Sequence, residues 1–350
     1  MPPATASTPP RPAPAAPPQS PPRARLFSGL GSWSDRRTER TLGALACAVL
    51  VLIALMVIFV FSKAWPSFWH NGFAWFGPGG DVDRQLDAIY NGPSRPSQFV
   101  YTLHAWPLLY ATLLTTVAGV IIGLVTALLC AVFIVEFAPT PIRRLLEPVV
   151  RLLAAVPSVV YGLIGLLVIV PFVNNHIIGQ HRKESVEYVV QLNGSGLIVA
   201  VVILAVMVTP IMISIVVDAL RSVPRGWTEG AAALGVNRWR AMWTISVRAV
   251  RPAIVAAVVL ATARALGEAI MLSMVSGSRG FSPNPLDGLT FLFEPVRPLA
   301  ATIVDRSEGL SVPPFASTLY AFAAVLLVSS ILLSLGGWAA KRPLARWSAR

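Results

Sequence analysis

Six stretches of the chain carry almost no charge: residues 42–62, 107–135, 152–173, 195–217, 252–277 and 316–340. At about 1.5 Å of rise per residue each is long enough to cross roughly 30 Å of hydrocarbon as a helix. None alternates apolar and polar residues with period two, which excludes a transmembrane β-barrel. Between the runs lie residues that break helices: Pro139 and Pro141, Asn174 and Asn175, Asn193-Gly194, Pro283 and Pro285, and Pro313-Pro314. The pattern predicts an all-α, polytopic membrane protein with six transmembrane helices.

Composition sharpens this picture. Of 350 residues 55% are hydrophobic and 13% charged, about half the ~25% charge of a soluble domain. A cytosolic enzyme, a disordered chain and a disulfide-built secreted domain are all excluded. The two cysteines, Cys47 and Cys130, fall inside apolar runs and read as packing residues. The first 22 residues hold ten prolines and predict a disordered tail. No apolar segment of signal-peptide type follows near the start, so no cleaved leader is expected. The expected organisation is a tail with a basic pre-membrane segment over 1–41, a membrane domain over 42–340, and a short basic end over 341–350.

Charge distribution sets an expected orientation. The tail, 136–151, 218–251 and 341–350 hold 19 of the 28 lysines and arginines, whereas 63–106, 174–194 and 278–315 hold eight. Positive segments stay in the cytoplasm, so both termini are expected there. The net charge of +12 is then a topology signal rather than a nucleic-acid surface. Trp65, Phe68, Trp69, Phe73, Trp75 and Phe76 cluster just beyond the first span, where amphipathic rings favour the membrane interface.

Enzymatic motifs are missing. The three lysines, Lys63, Lys183 and Lys341, do not follow glycine, so no phosphate-binding P-loop exists. His70, His104, His176 and His181 lack metal-ligand spacing, and no G-x-S-x-G turn occurs. No catalytic residue, metal site or cofactor site is assigned to this chain.

The segment 218–251 carries the most information. Ser222 can cap a helix with Pro224 in its first turn, Glu229 to Leu234 is alanine-rich, and Gly235 can end the helix in a left-handed conformation. Asn237 can then cap a second short helix bearing Trp239 and Trp243. Glu229, Ala231, Gly235 and Ile245 resemble the E-A-A-x-x-x-G-x9-I-x-L-P loop of ABC-importer permeases, with Gly230, Val247 and Arg248 as departures. Ala155-Val-Pro-Ser-Val-Val-Tyr-Gly162 and Arg264-Ala-Leu-Gly-Glu268-Ala further resemble the PstC-type permease of the phosphate importer.

That resemblance implies a channel-forming subunit for inorganic phosphate. It implies a PstA-type second permease, two ATPase subunits that bind ATP and magnesium, and an external phosphate-binding protein. The loop would dock on the ATPase through Glu229, Ala231, Gly235 and Ile245. A permease for sulfate or molybdate, or a non-transporting membrane scaffold, are the alternatives.

Arg264 and Glu268 stand inside the fifth run, where each charge costs about 2.5–3.5 kcal/mol on the translocon scale. Their i, i+4 spacing puts them on one helix face, where they can neutralise each other. They are either a packing pair or an anion-pathway pair, with Arg264 meeting the oxyanion and Glu268 orienting it. Ser158, Tyr161 and Thr209 are further candidates to line a polar path, although hydroxyls also bond to their own helices. Pro157 and the Thr209-Pro210 pair predict kinks, and Gly119-x-x-x-Gly123 predicts close helix contact.

The orientation is tested by a reporter active only outside the cytoplasm. Fused at Gly80 it should be active, and at Arg350 silent; the reverse result refutes the six-span order.

Overall fold

The computed structural model describes residues 32–348 except 94, 180–190 and 281; the proline-rich tail, His181 and Lys183 lie outside the described residues. Contacts divide the chain into one unit ending at Met56 and a second running from Val57. In the first, helix α1 (Ser32–Asn71) begins. Its Leu45, Leu50 and Leu55 each keep more than 60% of their surface exposed. A helix apolar on every side is suited to a lipid solvent.

In the second unit α1 runs on to Asn71, and the short helix α2 (Val82–Tyr90) follows. Next come α3 (Trp106–Val132), α4 (Thr140–Ala155) and α5 (Ser158–Ile164), the last extended by wide turns to Ile177. Helix α6 (Leu197–Arg221) leads into the short helices α7 (Arg225–Ala233) and α8 (Arg238–Ala241). Beyond these lie α9 (Arg251–Leu266), α10 (Ile270–Val275), α11 (Leu299–Asp305) and α12 (Pro313–Ser348). No strand forms among the described residues; Gly277 and Val296 make an isolated parallel bridge.

Helix α6 is the axis of this unit. In its most apolar stretch 61% is buried, against 39% for α3 and 28% for the helix from Ser158. The expected glycine contact explains how α3 comes so close. A Cβ added at Gly123 would stand 2.9 Å from Cγ2 of Val208, and one at Gly119 3.0 Å from Cδ2 of Leu204. Without a strong hydrophobic drive between helices in lipid, such close backbone approach is what holds a pair together.

Among the described residues five helices are long and apolar enough to span a bilayer, or six if the bent pair Arg238–Ala249 and Arg251–Leu266 is one span; that pair takes the place of the continuous fifth span. Residues 252–277 do not form one helix. Helix α9 stops at Leu266 and α10 starts at Ile270, with Gly267, Glu268 and Ala269 between them. Its 16 residues give about 24 Å, short of the hydrocarbon thickness. At its other end α9 is bent by 67° from the helical run Arg238–Ala249. The third span also starts later than 152. Pro157 has no N–H to donate and drives Val156 into an extended conformation (ψ 131°), so α4 ends at Ala155. Pro210 does not divide α6, which passes through it as one helix.

Where α3 begins, α2 packs on α12 through Val82, Leu86 and Ile89, together with Trp75, Phe315 and Phe322. Trp75, expected at the interface, is fully buried here, while Trp69 and Phe73 are exposed. Arg297, 5% exposed, donates to Asp83 at 2.5 Å and to the carbonyl of Ser278. Asp83 also accepts from Arg306 at 3.3 Å and from the Gly280 amide at 2.9 Å.

Burial pushes the Asp83 carboxyl up, but the Arg297 charge, the Gly280 amide and Arg306 together outweigh it and hold it below its ordinary value of 3.8. A lowered folded value gives stability that is present above pH 3.8 and lost as pH falls through the folded value. Protection of the Gly280 amide from hydrogen exchange, corrected for intrinsic rate, should therefore hold from pH 7 to below 3.8. Asp83→Asn should weaken it at neutral pH by about 2 kcal/mol, less than for a fully buried pair. Protection lost between pH 6 and 5 would assign the contact to another group.

Candidate functional site

Two places bring together the residues singled out in the sequence. The first is the hairpin of α7 and α8. Helix α7 closes with the Val236 amide on the Ala231 carbonyl (3.1 Å) and the Gly235 amide on the Ala232 carbonyl (2.9 Å). This is a Schellman ending, and Gly235 adopts the left-handed conformation it requires, at φ +77°. Asn237 then caps α8 by accepting from the Trp239 amide at 3.0 Å. Ser222 does not cap α7 as expected. Its hydroxyl bonds back to Ala219 at the end of α6, and Pro224 occupies the cap position instead of the first turn. The reason is the length of the connection: only Val223 separates them, so Ser222 is still completing α6.

Of the four hairpin residues, Glu229 and Gly235 are exposed and Ala231 is buried. Ile245 is half-buried in the wide turn Met242–Ser246 that continues α8. A cleft of about 310 Å³ separates the hairpin from the end of α3. Glu136 and Arg238 line it together with Thr228, Glu229, Ala232 and Val236.

The second place is the break after α9. Glu268, 8% exposed, turns its carboxylate to the Met271 amide (Oε1 at 3.3 Å) at the start of α10. The expected i, i+4 pair is therefore not made. The helix ends between the two residues, and among the described residues Arg264 has no ion pair. A carboxylate at a helix start is favourably placed against the local dipole, and Glu268 serves the backbone rather than the guanidinium.

Arg264 is half-buried in the last turn of α9 and acts electrostatically on Tyr161 of α5. The Tyr161 hydroxyl donates to the carbonyl of Leu153 at 2.9 Å, an oxygen that has lost its i+4 donor at Pro157 and also accepts from the Val156 amide at 3.3 Å. Ser158 lies one turn before Tyr161 on the same helix. Thr209 is elsewhere: its hydroxyl bonds to Ala205 of its own helix (2.6 Å) and lies 3.4 Å from Thr126 of α3. Arg264 thus acts on Tyr161, Ser158 lies one turn away from Tyr161 on the same helix, and Thr209 belongs to the α3–α6 seam.

Sequence reasoning passed over the turn Phe133–Phe137 that ends α3. Arg143 of α4 donates to the carbonyls of Ile134 (2.9 Å) and Val135 (2.7 Å), and Arg238 of the hairpin donates to that of Glu136. Arginines following a helix that ends in Phe-Ala-Pro were the available signal, since the last carbonyls of a helix need donors.

Comparison with known proteins follows the same lines. Residues 119–342 match the family described as binding-protein-dependent transport system inner membrane component. A Bacillus subtilis (strain 168) protein named "Probable ABC transporter permease protein YqgH" is 30% identical over 87% of this chain and 92% of its own length. "Phosphate transport system permease protein PstC 1" of Mycobacterium tuberculosis (strain ATCC 25618 / H37Rv) is 34% identical over 70% of this chain and 73% of its own. Among solved structures, a bacterial alginate ABC transporter is similar in fold, with a TM-score of 0.53 at 14% identity over 90% of this chain and 98% of that one. The chain belongs to the family of binding-protein-dependent transport system inner membrane components, as a multi-pass permease subunit of an ABC importer.

Proposed function

We propose that this chain forms part of the transmembrane pathway of an ATP-driven importer of inorganic phosphate. The observation that carries the proposal is Arg264, a guanidinium near the end of an apolar helix with no carboxylate partner among the described residues. A cation left without a carboxylate partner beside apolar helices is suited to meet an anion that passes. Its forked donors match the oxygens of a tetrahedral oxyanion. Relatives named as phosphate permeases support phosphate over sulfate or molybdate.

In this reading both termini are cytoplasmic. A PstA-type permease completes the pathway, two ATPase subunits hold ATP and magnesium, and an external phosphate-binding protein delivers the substrate. The α7–α8 hairpin docks on an ATPase through Glu229, Ala231, Gly235 and Ile245, and its movement reaches Arg264 along α9. Tyr161 and Ser158 stand beside the guanidinium as polar lining. Glu268 has a different role from that expected: it fixes the break that leaves Arg264 in the last turn of α9. Thr209 is the weakest candidate, its hydroxyl being already bonded to α6.

Two sets of variants test the reading. No atom lies within 4 Å of a Cβ added at Gly235, so the cost of Gly235→Val is conformational. At about 1–2 kcal/mol or more for the left-handed position, Gly235→Val should reduce ATPase co-purification and labelled phosphate uptake. Gly235→Asn should be tolerated; equal behaviour of both variants removes the turn from coupling.

Arg264→Lys should lower phosphate uptake at least about tenfold, or ~1.4 kcal/mol, at normal abundance, because one ammonium cannot reproduce the fork. Glu268→Gln keeps an acceptor for Met271 and should be mild, while Glu268→Ala should reduce abundance. Recovery of uptake in the double variant Arg264→Met with Glu268→Gln would show a packing pair and sink the pathway role. Sulfate that competes as well as phosphate would reassign the substrate.

A further inference from the structure

The hairpin joins α6 and α9 through the chain itself, but it also grips a third helix to which it has no covalent link. Arg238 is the first residue of α8. Its guanidinium donates to the backbone carbonyl of Glu136, lies 3.6 Å from the Glu136 carboxylate, and sits over the Phe137 ring at 5.6 Å. The next residue, Trp239, brings its ring to 5.9 Å from the same Phe137 and 5.7 Å from Trp243. Four contacts from two adjacent residues therefore converge on the last turn of α3.

Magnitudes decide what this cluster is. The Arg238 side chain is 67% exposed, and an exposed ion pair alone is worth little. The bond to a helix-terminal carbonyl and the cation over the ring are different in kind. They fix the direction of approach, because the carbonyl is an orphan acceptor at the negative end of α3 and the ring offers only its face. On the other side Arg143 holds the carbonyls of Ile134 and Val135, so the turn being gripped is itself anchored. Helix α3 in turn lies against α6 along the glycine contact, with Gly123 facing Val208.

We infer that Arg238, seated on Glu136 and Phe137, is the joint that makes the hairpin move as one body with the α3–α6 pair. Arg238 is a positioning residue in this role. It sends displacement of the hairpin into the core of the permease by a second route, besides the bend into α9. Without it the hairpin keeps its chain connections at Val223-Pro224 and Val250, the Trp239 ring on Phe137 and the buried Met242, but loses the polar contacts that fix its direction on α3. The inference rests on the proposal that hairpin movement drives transport, but its geometry can be tested separately.

The test uses the complete complex with its partner subunits in lipid nanodiscs and proteoliposomes, with Cys47 and Cys130 replaced by alanine. Spin labels at Leu234 on the hairpin tip and Leu129 on α3, both exposed, report the hairpin-to-α3 distance. The unmutated joint should give one narrow distribution that stays the same with and without vanadate-trapped nucleotide. Arg238→Ala and Phe137→Ala should broaden it. Both should leave assembly and ATP hydrolysis in place while inorganic phosphate imported per ATP falls about tenfold.

Distributions that do not differ between wild type and variants overturn the joint. Lost import with an unchanged distribution overturns it too, and assigns Arg238 to the ATPase surface. A wild-type complex that hydrolyses ATP but moves no phosphate refutes the substrate instead. The joint is then still judged by its distance distributions, which need no substrate.

Discussion

In hydrocarbon a backbone amide or carbonyl without a partner costs several kcal/mol, and this chain breaks its helices repeatedly. Several of the breaks are answered by a particular side chain. Tyr161 joins the Val156 amide on the Leu153 carbonyl before Pro157, and Glu268 takes the Met271 amide after Gly267. Arg143 and Arg238 take the last carbonyls of α3. The Thr112 hydroxyl receives the Leu299 amide where α11 begins, and Asn71 receives Leu103 at the end of α1. The polar residues in and around the membrane segments are thus mostly commitments to backbone, whereas among the described residues Arg264 makes no such bond.

This arrangement accounts for how a permease can be both packed and movable. The seam of α3 and α6 rests on the close seating of Leu204 and Val208 against the glycines of α3 and resists separation. The broken elements, α4 to α5 and α9 to α10, meet at short non-helical links where small rotations cost few hydrogen bonds. Arg264, Tyr161 and Ser158 stand beside these links. The hairpin lies at the far end of α9, so helix stiffness rather than a chain of soft contacts connects the two candidate sites.

Much of this was legible beforehand. Spans were visible because hydrocarbon length imposes a fixed run of uncharged residues, and the Gly235 turn because only a few residues accept a left-handed backbone. What was missed has a common cause. The i, i+4 geometry of Arg264 and Glu268 presupposed a continuous helix, and Gly267 alone does not announce a break, since glycine is tolerated inside membrane helices. Ser222 looked like a cap for the helix after it because caps look alike whichever end they serve. Arg238 and Arg297 read as topology charges, and only the fold shows that one grips Glu136 and the other is buried against Asp83.

The first helix leads to a different conclusion about how such a chain can change over time. None of the most apolar stretch of α1 is buried, whereas three-fifths of that of α6 is. A residue facing lipid has to satisfy only a transfer energy, which leucine, isoleucine, valine and phenylalanine meet almost equally. A residue in the α3–α6 seam has to satisfy a volume. Mutations should therefore accumulate in α1 as exchanges among apolar residues, with hydropathy preserved and spelling lost.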